Sequence, residues 1–179
     1  MAHPHHVEVL DAYDRWSVRL YRWGLIGAAC GLAATSVTLL AGGDPTVSLW
    51  FLLAGTALAV AHLHLYAKRI KQVIALGAWA GVLTAALPVE HVMVEAAALG
   101  FASVALSGLA LKEQLCFQIP FLRLQPVFLG AAVLGWAAGQ PQVTGVALAA
   151  ATVLQTLLAF AKIRMPLHYD IGDKSAYQL

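Results

Sequence analysis

Val47-Ser-Leu-Trp-Phe-Leu-Leu-Ala-Gly-Thr-Ala-Leu-Ala-Val-Ala-His-Leu-His-Leu-Tyr66, followed at once by Ala67-Lys-Arg-Ile-Lys71, decides the fold. The first stretch carries no Asp, Glu, Lys or Arg. Its length is that of a helix crossing the hydrocarbon core of a bilayer, which takes about 20 apolar residues. Lys68, Arg69 and Lys71 then arrive together. An apolar run that stops at clustered cations reads as a membrane span ending on the side where the chain was made.

The same alternation extends in both directions. Apolar runs fall at Trp23–Ala41, Val47–Tyr66, Val73–Leu87, Val92–Leu111, Phe121–Ala138 and Val143–Ala161. They lack the period-two pattern of barrel strands, so they are expected to be helices, which satisfy their own backbone in lipid. Pro126 suits a helix start in the fifth. Arg15, Arg19 and Arg22 precede the first run, and Lys68, Arg69 and Lys71 follow the second. Lys112 and Arg123 lie between the fourth and fifth, and Lys162, Arg164 and Lys174 follow the sixth. These are all 11 Lys and Arg residues of the chain. The three opposite connections, Gly42–Pro45, Pro88–His91 and Gly139–Pro141, hold none and read as tight turns. The positive-inside rule therefore predicts an even number of spans, six, with both termini cytoplasmic.

Composition agrees. Of 179 residues, 60% are hydrophobic and 11% charged, and mean hydropathy is +0.75. Soluble domains carry about 25% charged residues, so this chain has too little charge to cover itself with a water-soluble surface. Two cysteines imply no disulfide framework. A net charge of +2 is no nucleic-acid footprint. The expected organisation is a cytoplasmic and interfacial segment 1–22, an all-α six-helix transmembrane bundle 23–161, and a cytoplasmic tail 162–179. Residues 1–22 are too polar for a cleavable signal.

Val7, Leu10, Tyr13, Trp16 and Leu20 recur at helical spacing, with Asp11 and Arg15 opposite. The expectation is an amphipathic helix lying in the interface, the chain then turning at Gly24. Met1-Ala-His-Pro-His-His6 has the chemistry to bind a divalent metal, but a short terminal run reads more plainly as a free end. Glu90 and Glu95 open the fourth helix, where negative charge favours the N-terminal dipole; a cation site at the outer mouth is the alternative.

No Asp, Glu, Lys or Arg falls in the middle of a span, which argues against a proton pump or ion transporter. His62 and His64 fall in the last turns of the second span. At i,i+2 on a regular helix they point about 200° apart and cannot grip one metal. His62, Ser107 and Gln155 lie at similar depth, with Cys116 as a further candidate beside them. They line either a pocket for a quinone headgroup or haem, or plain interhelical hydrogen bonds. Cys30 is expected to pack. Gly27-Ala-Ala-Cys-Gly31 and Gly135-Trp-Ala-Ala-Gly139 are small-residue patterns that serve packing within the chain or a dimer.

Leu109-Ala-Leu-Lys-Glu-Gln-Leu-Cys-Phe-Gln-Ile-Pro120 is the odd stretch between two apolar runs. If the fourth helix continues past Leu111, Lys112, Glu113 and Cys116 share a face. Lys112 beside Cys116 suggests a reactive thiol. The plainer reading is a helix end that sends Lys112 to water, pairs it with Glu113 and tucks Cys116 and Phe117 against the bundle.

Leu20-Tyr-Arg-Trp-Gly24, Leu111-Lys-Glu-Gln-Leu-Cys-Phe117 and Met165-Pro-Leu-His-Tyr-Asp-Ile-Gly-Asp-Lys-Ser175 together resemble the bacterial integral membrane proteins grouped as domain of unknown function 2301. Lys112, Glu113, Cys116 and Phe117, and the tail from Asp170 to Ser175, match that pattern. Gln114 and Leu115 depart from it. The resemblance implies a small multi-span membrane protein of the bacterial inner membrane, brings no assigned activity or cofactor, and draws attention to Cys116 and the tail. The first functional expectation is a non-enzymatic accessory or assembly protein. It would contact a membrane complex or a second copy through Lys112, Glu113, Cys116, Phe117, Asp170, Gly172, Asp173 and Lys174. The alternatives are a haem- or quinone-binding redox protein using His62, His64 or Cys116, and a small carrier or channel for an uncharged solute.

Overall fold

Asp11 starts the first helix. Its side chain accepts a hydrogen bond from the Asp14 amide at 2.7 Å, and the Asp14 carboxylate accepts from the Asp11 amide at 3.1 Å. Two otherwise unpaired N–H groups are satisfied reciprocally in this way. The helix that follows, α1 (Ala12–Leu40), runs unbroken for 29 residues, about 44 Å at 1.5 Å per residue. The chain therefore does not turn at Gly24: the amphipathic opening and the first apolar run form one rod. Gly24 serves contact, because a Cβ there would collide with the backbone of Ala59.

The computed structural model describes residues 10–89, 91–117 and 119–171. After α1 come α2 (Thr46–Ala61), α3 (Lys68–Ala85), α4 (Val92–Phe117), a 3-10 turn (Leu122–Leu124), α5 (Gln125–Ala137), α6 (Pro141–Arg164) and the short α7 (His168–Ile171). The described residues hold no strand. α1, α4 and α6 are long and apolar enough to cross a membrane, while α2 and α5 are shorter apolar helices.

Two boundaries that position the candidate site differ from the sequence expectation. The second apolar run stops being helical at Ala61, with His62 as its C-cap, so His62 and His64 lie in an irregular connection rather than in helical turns. The fourth helix continues to Phe117, which puts Lys112, Glu113 and Cys116 on a helix. The stop after it is sharp: Phe121 takes φ 62°, left-handed for a non-glycine residue, and Pro126 sits in the first turn of α5.

The six long helices close a ring in chain order. α1 packs against α2 and α6, α4 against α3 and α5, α2 against α3, and α5 against α6. Leu25, Leu32, Leu52, Leu99, Leu106, Leu129, Leu148 and Leu158 fill the interior. Phe51, Leu76, Leu83, Leu134 and Val153 point outward, as expected of a bundle facing lipid. Lipid tails are as apolar as leucine, so close packing rather than hydrophobic exclusion must join such helices. Along the α1–α2 seam a Cβ at Gly31 would collide with the Leu52 backbone, and one at Gly27 would lie 3.2 Å from Gly55 Cα. On α3, Gly77 and Gly81 approach carbonyl oxygens of Phe101 and Ala98 on α4. The Gly27–Gly31 pattern is thus used inside the chain. In the second pattern Gly135 packs on Thr144, whereas Gly139 turns the chain at φ +66°.

Candidate functional site: a buried ion network

At the end of the ring where α1 begins and α4 and α6 finish, five charged residues and one tyrosine are drawn together. Each arrives by helical spacing. Buried positions on α1 include Val18, Tyr21, Leu25, Ala28 and Leu32; on α4, Leu99, Ala102, Leu106, Leu109 and Glu113; on α6, Leu148, Ala151, Gln155, Leu158 and Lys162. Steps of three and four keep one helix face inward. Tyr21, Glu113 and Lys162 therefore occupy core positions where each helix leaves the apolar zone.

Glu113 is 0% exposed. Its Oε1 accepts from Tyr21 Oη at 2.6 Å and from Lys112 Nζ at 2.7 Å, and its Oε2 accepts from Lys162 Nζ at 3.1 Å. Lys162 is also 0% exposed and pairs in addition with Asp170 Oδ1. Asp170, on α7, accepts from Arg22 Nε at 2.8 Å and Nη2 at 2.5 Å. Arg22 donates further to the carbonyls of Met165 and Pro166 at 2.8 and 3.1 Å. Aromatic rings complete the enclosure: Lys162 Nζ lies 4.4 Å from the Phe117 ring centroid, and Lys112 Nζ lies 5.2 Å from that of Tyr21. Cations over ring faces are attracted by the quadrupole. The network joins α1, α4, α6 and α7, and it holds one more cation than anion.

This settles the places of several expected site residues. Lys112 pairs with Glu113, not with the thiol of Cys116, which is exposed. Phe117 is half-buried under Lys162. Asp170 faces Arg22 and Lys162. Gly172, Asp173 and Lys174 lie outside the described residues, as do the N-terminal histidines and Glu90. Cys30 faces outward, in a shallow apolar groove with Trp23, Gly27 and Phe51. Glu95 accepts from Trp136 Nε1 at 3.3 Å across the opposite end of the bundle.

Two members of the shallow polar layer, Gln155 and His62, have separate partners. Gln155 is buried, accepting from Gln125 Nε2 at 2.7 Å and donating to the Leu25 carbonyl at 3.4 Å. His62 Nδ1 lies 3.3 Å from Ser17 Oγ. His64 Nδ1 is buried with no hydrogen-bond partner. Burial first, then the positive charge of Lys112 and Lys71, pushes the His64 imidazole below its ordinary pKa, with Asp170 and Asp14 opposing. Among the described residues no three His, Cys, Asp or Glu side chains are grouped to hold a metal ion.

Tyr21, Arg22 and Lys162 were not picked out as site residues by sequence reasoning. The signal that finds them is the inward spacing given above, continued past the end of each apolar run. A count of charges per loop treats every terminal cation as solvent-facing.

Comparison with known proteins agrees with the helical membrane reading. A protein of Haemophilus influenzae described only as uncharacterized is 36% identical over 179 residues, covering all of both chains. No solved structure matches. Residues 58–179 match the family described as uncharacterized integral membrane protein, domain of unknown function 2301, which spans α3 to α7 and so includes Lys112, Glu113, Lys162 and Asp170. The chain belongs to that family of integral membrane proteins.

Proposed function

We propose that the chain crosses a bacterial cytoplasmic membrane six times, keeps both termini in the cytoplasm, and acts as a non-enzymatic accessory or assembly protein. The one-sided distribution of Lys and Arg supports the orientation. The ring of six helices with outward apolar faces supports the count, although α2 and α5, at 16 and 13 residues, span only about 24 and 20 Å. Their flanking apolar residues and local thinning of the bilayer make up the difference.

The observation that carries the functional reading is the ion network. It fastens the end of α4 and the start of the tail to the bundle, and it leaves Leu115, 78% exposed, and Cys116 standing on a rigid base. A membrane protein that commits four buried charges and the partly buried Lys112 to fixing one face has that face to present. In this reading Lys112, Cys116, Phe117 and the tail through Lys174 form the contact surface, and Glu113 and Asp170 hold it from beneath. Photocrosslinking in native membranes from a probe at Leu115 tests it. A discrete protein adduct is expected there and none from a probe at the outward-facing Leu83; lipid adducts alone at both positions refute it.

His64 favours a second reading. A buried imidazole nitrogen without a partner is a candidate axial ligand for haem. A Soret band in the purified protein, lost in His64→Ala, would establish it.

A further inference from the structure

We propose that α7 is a releasable strap over a carboxylate-binding site: Arg22 and Lys162 hold Asp170 as an internal ligand, and an acidic side chain of the docking protein takes its place when α7 lifts. Arg22 and Lys162 are 8% and 0% exposed. Arg22 Nε and Nη2 donate to Asp170 Oδ2 while Lys162 Nζ pairs with Oδ1, so each carboxylate oxygen has its own cation. A guanidinium beside a fixed ammonium is suited to a planar carboxylate held in this way. The ring of Phe117 lies against Lys162 Nζ. Arg22 belongs to α1, Phe117 to α4 and Lys162 to α6, so the cradle remains when α7 leaves.

What fills the cradle is lightly tethered. α7 has four residues, far below the length at which a helix holds itself. Asp170 and Ile171 seat it, whereas Tyr169 is 44% exposed. Met165, with extended backbone, and Pro166 separate it from α6, and a proline at that point keeps α6 from running on into the tail. Lifting α7 leaves Glu113 paired with Lys112 and Lys162, which keeps the end of α4 in place. It takes from Arg22 the one acid that it pairs with among the described residues. A guanidinium so emptied draws an anion from outside, and the seated Asp170 shows which anion fits. Leu115, exposed on the same last turn of α4 as Phe117, offers an apolar contact for a protein segment carrying that acid. The choice of a protein as its source rests on the reading of this face as a contact surface; the site itself does not.

The test uses the full chain in mild detergent, with sodium acetate as probe and sodium chloride at matched ionic strength as reference. Asp170→Ala is expected to unfold at a lower temperature than wild type and to regain part of the loss in acetate, saturably and not in chloride; adding Arg22→Gln should remove the response. No acetate-specific gain, or an equal gain in chloride, overturns the carboxylate site. The strap is read from Ile171→Cys in a background of Cys30→Ala and Cys116→Ser, by its rate of modification with N-ethylmaleimide. Acetate and α7 exclude one another, so acetate at about ten times its dissociation constant should raise the lifted population, and with it this rate, about elevenfold. This variant keeps Asp170, so the measurement stands even if Asp170→Ala does not fold. A rate unchanged by acetate overturns the strap. In native membranes Asp170→Ala is expected to raise the yield of the Leu115 adduct at least about twofold, because the docking protein no longer competes with α7. A merely supporting Asp170 predicts a lower yield. A fall or no change, with the acetate response intact, overturns the protein carboxylate as ligand. No adduct from either protein sinks the contact-surface reading and the protein ligand with it, whereas the acetate response scores the site on its own.

Discussion

Glu113 is the residue on which the described end of the bundle turns. Its carboxylate receives Tyr21, Lys112 and Lys162 at once. Removing one member of a buried ion pair strands the other charge and costs about 3–5 kcal/mol, whereas replacing both by apolar groups is often neutral. Glu113→Gln is accordingly expected to lower stability by about 3 kcal/mol. Adding Lys162→Met should recover part of the loss if Arg22 continues to neutralise Asp170, and both are read by thermal unfolding in detergent. Equal loss in the double variant would mean that Lys162 serves mainly through Asp170. His64 supplies a pH dependence of known sign. Its folded pKa is depressed, so the unfolded chain takes the proton first as pH falls below about 6.5. The contribution is complete above that value and is lost on acidification. Unfolding temperature between pH 7.5 and 5.5 should fall more steeply in wild type than in His64→Asn; parallel curves would place the pH dependence elsewhere.

The helices themselves were largely legible, and the reasons for the exceptions are specific. Apolar runs separated by cation clusters or by glycine and proline marked all six long helices. The turn expected at Gly24 does not form because the helix begun by the capping box at Asp11 continues unbroken to Leu40. The true role of that glycine is at the element scale, where α1 and α2 approach backbone to backbone at Gly24–Ala59 and Gly31–Leu52. Tertiary proximity of this kind leaves no mark on local sequence beyond a small residue. The ion network was legible only in halves. The Lys112–Glu113 pair is adjacent in sequence, whereas Arg22 and Asp170 are separated by nearly the whole chain and meet only because the ring closes through α1 and α6. Gly24→Ala should force the two helices apart and cost about 1–3 kcal/mol. Gly130→Ala on α5, where an added methyl meets nothing within 4 Å, should be neutral or stabilising by about 0.5–1 kcal/mol. Similar losses for the two would show that helix propensity, and not close approach, governs the α1–α2 seam.

At the scale of the whole molecule the ring sorts charge by end. Among the described residues, the end with the network also carries the exposed Arg15, Arg19, Lys68, Arg69, Lys71, Arg123 and Arg164, with Asp11 and Asp14, while the opposite end carries Asp44 and Glu95 and no Lys or Arg. Inserting the chain the other way would translocate most of these cations, each opposed by the mechanism behind the positive-inside bias. The buried acids sharpen the asymmetry, because Glu113 and Asp170 are paired internally and so offset less of the surface positive charge at that end. In a background of Cys30→Ala and Cys116→Ser, an impermeant maleimide applied from the periplasmic side should therefore label Asp44→Cys. It should reach Leu115→Cys and Arg69→Cys only after the inner membrane is opened. Arg69 lies in the first turn of α3 and Leu115 in the last turn of α4, so their agreement tests that both helices cross. If Arg69→Cys and Leu115→Cys react from opposite sides, one of those helices is not a span, and the ring must then sit partly in the interface. If both react from outside together, the spans stand and the orientation is reversed.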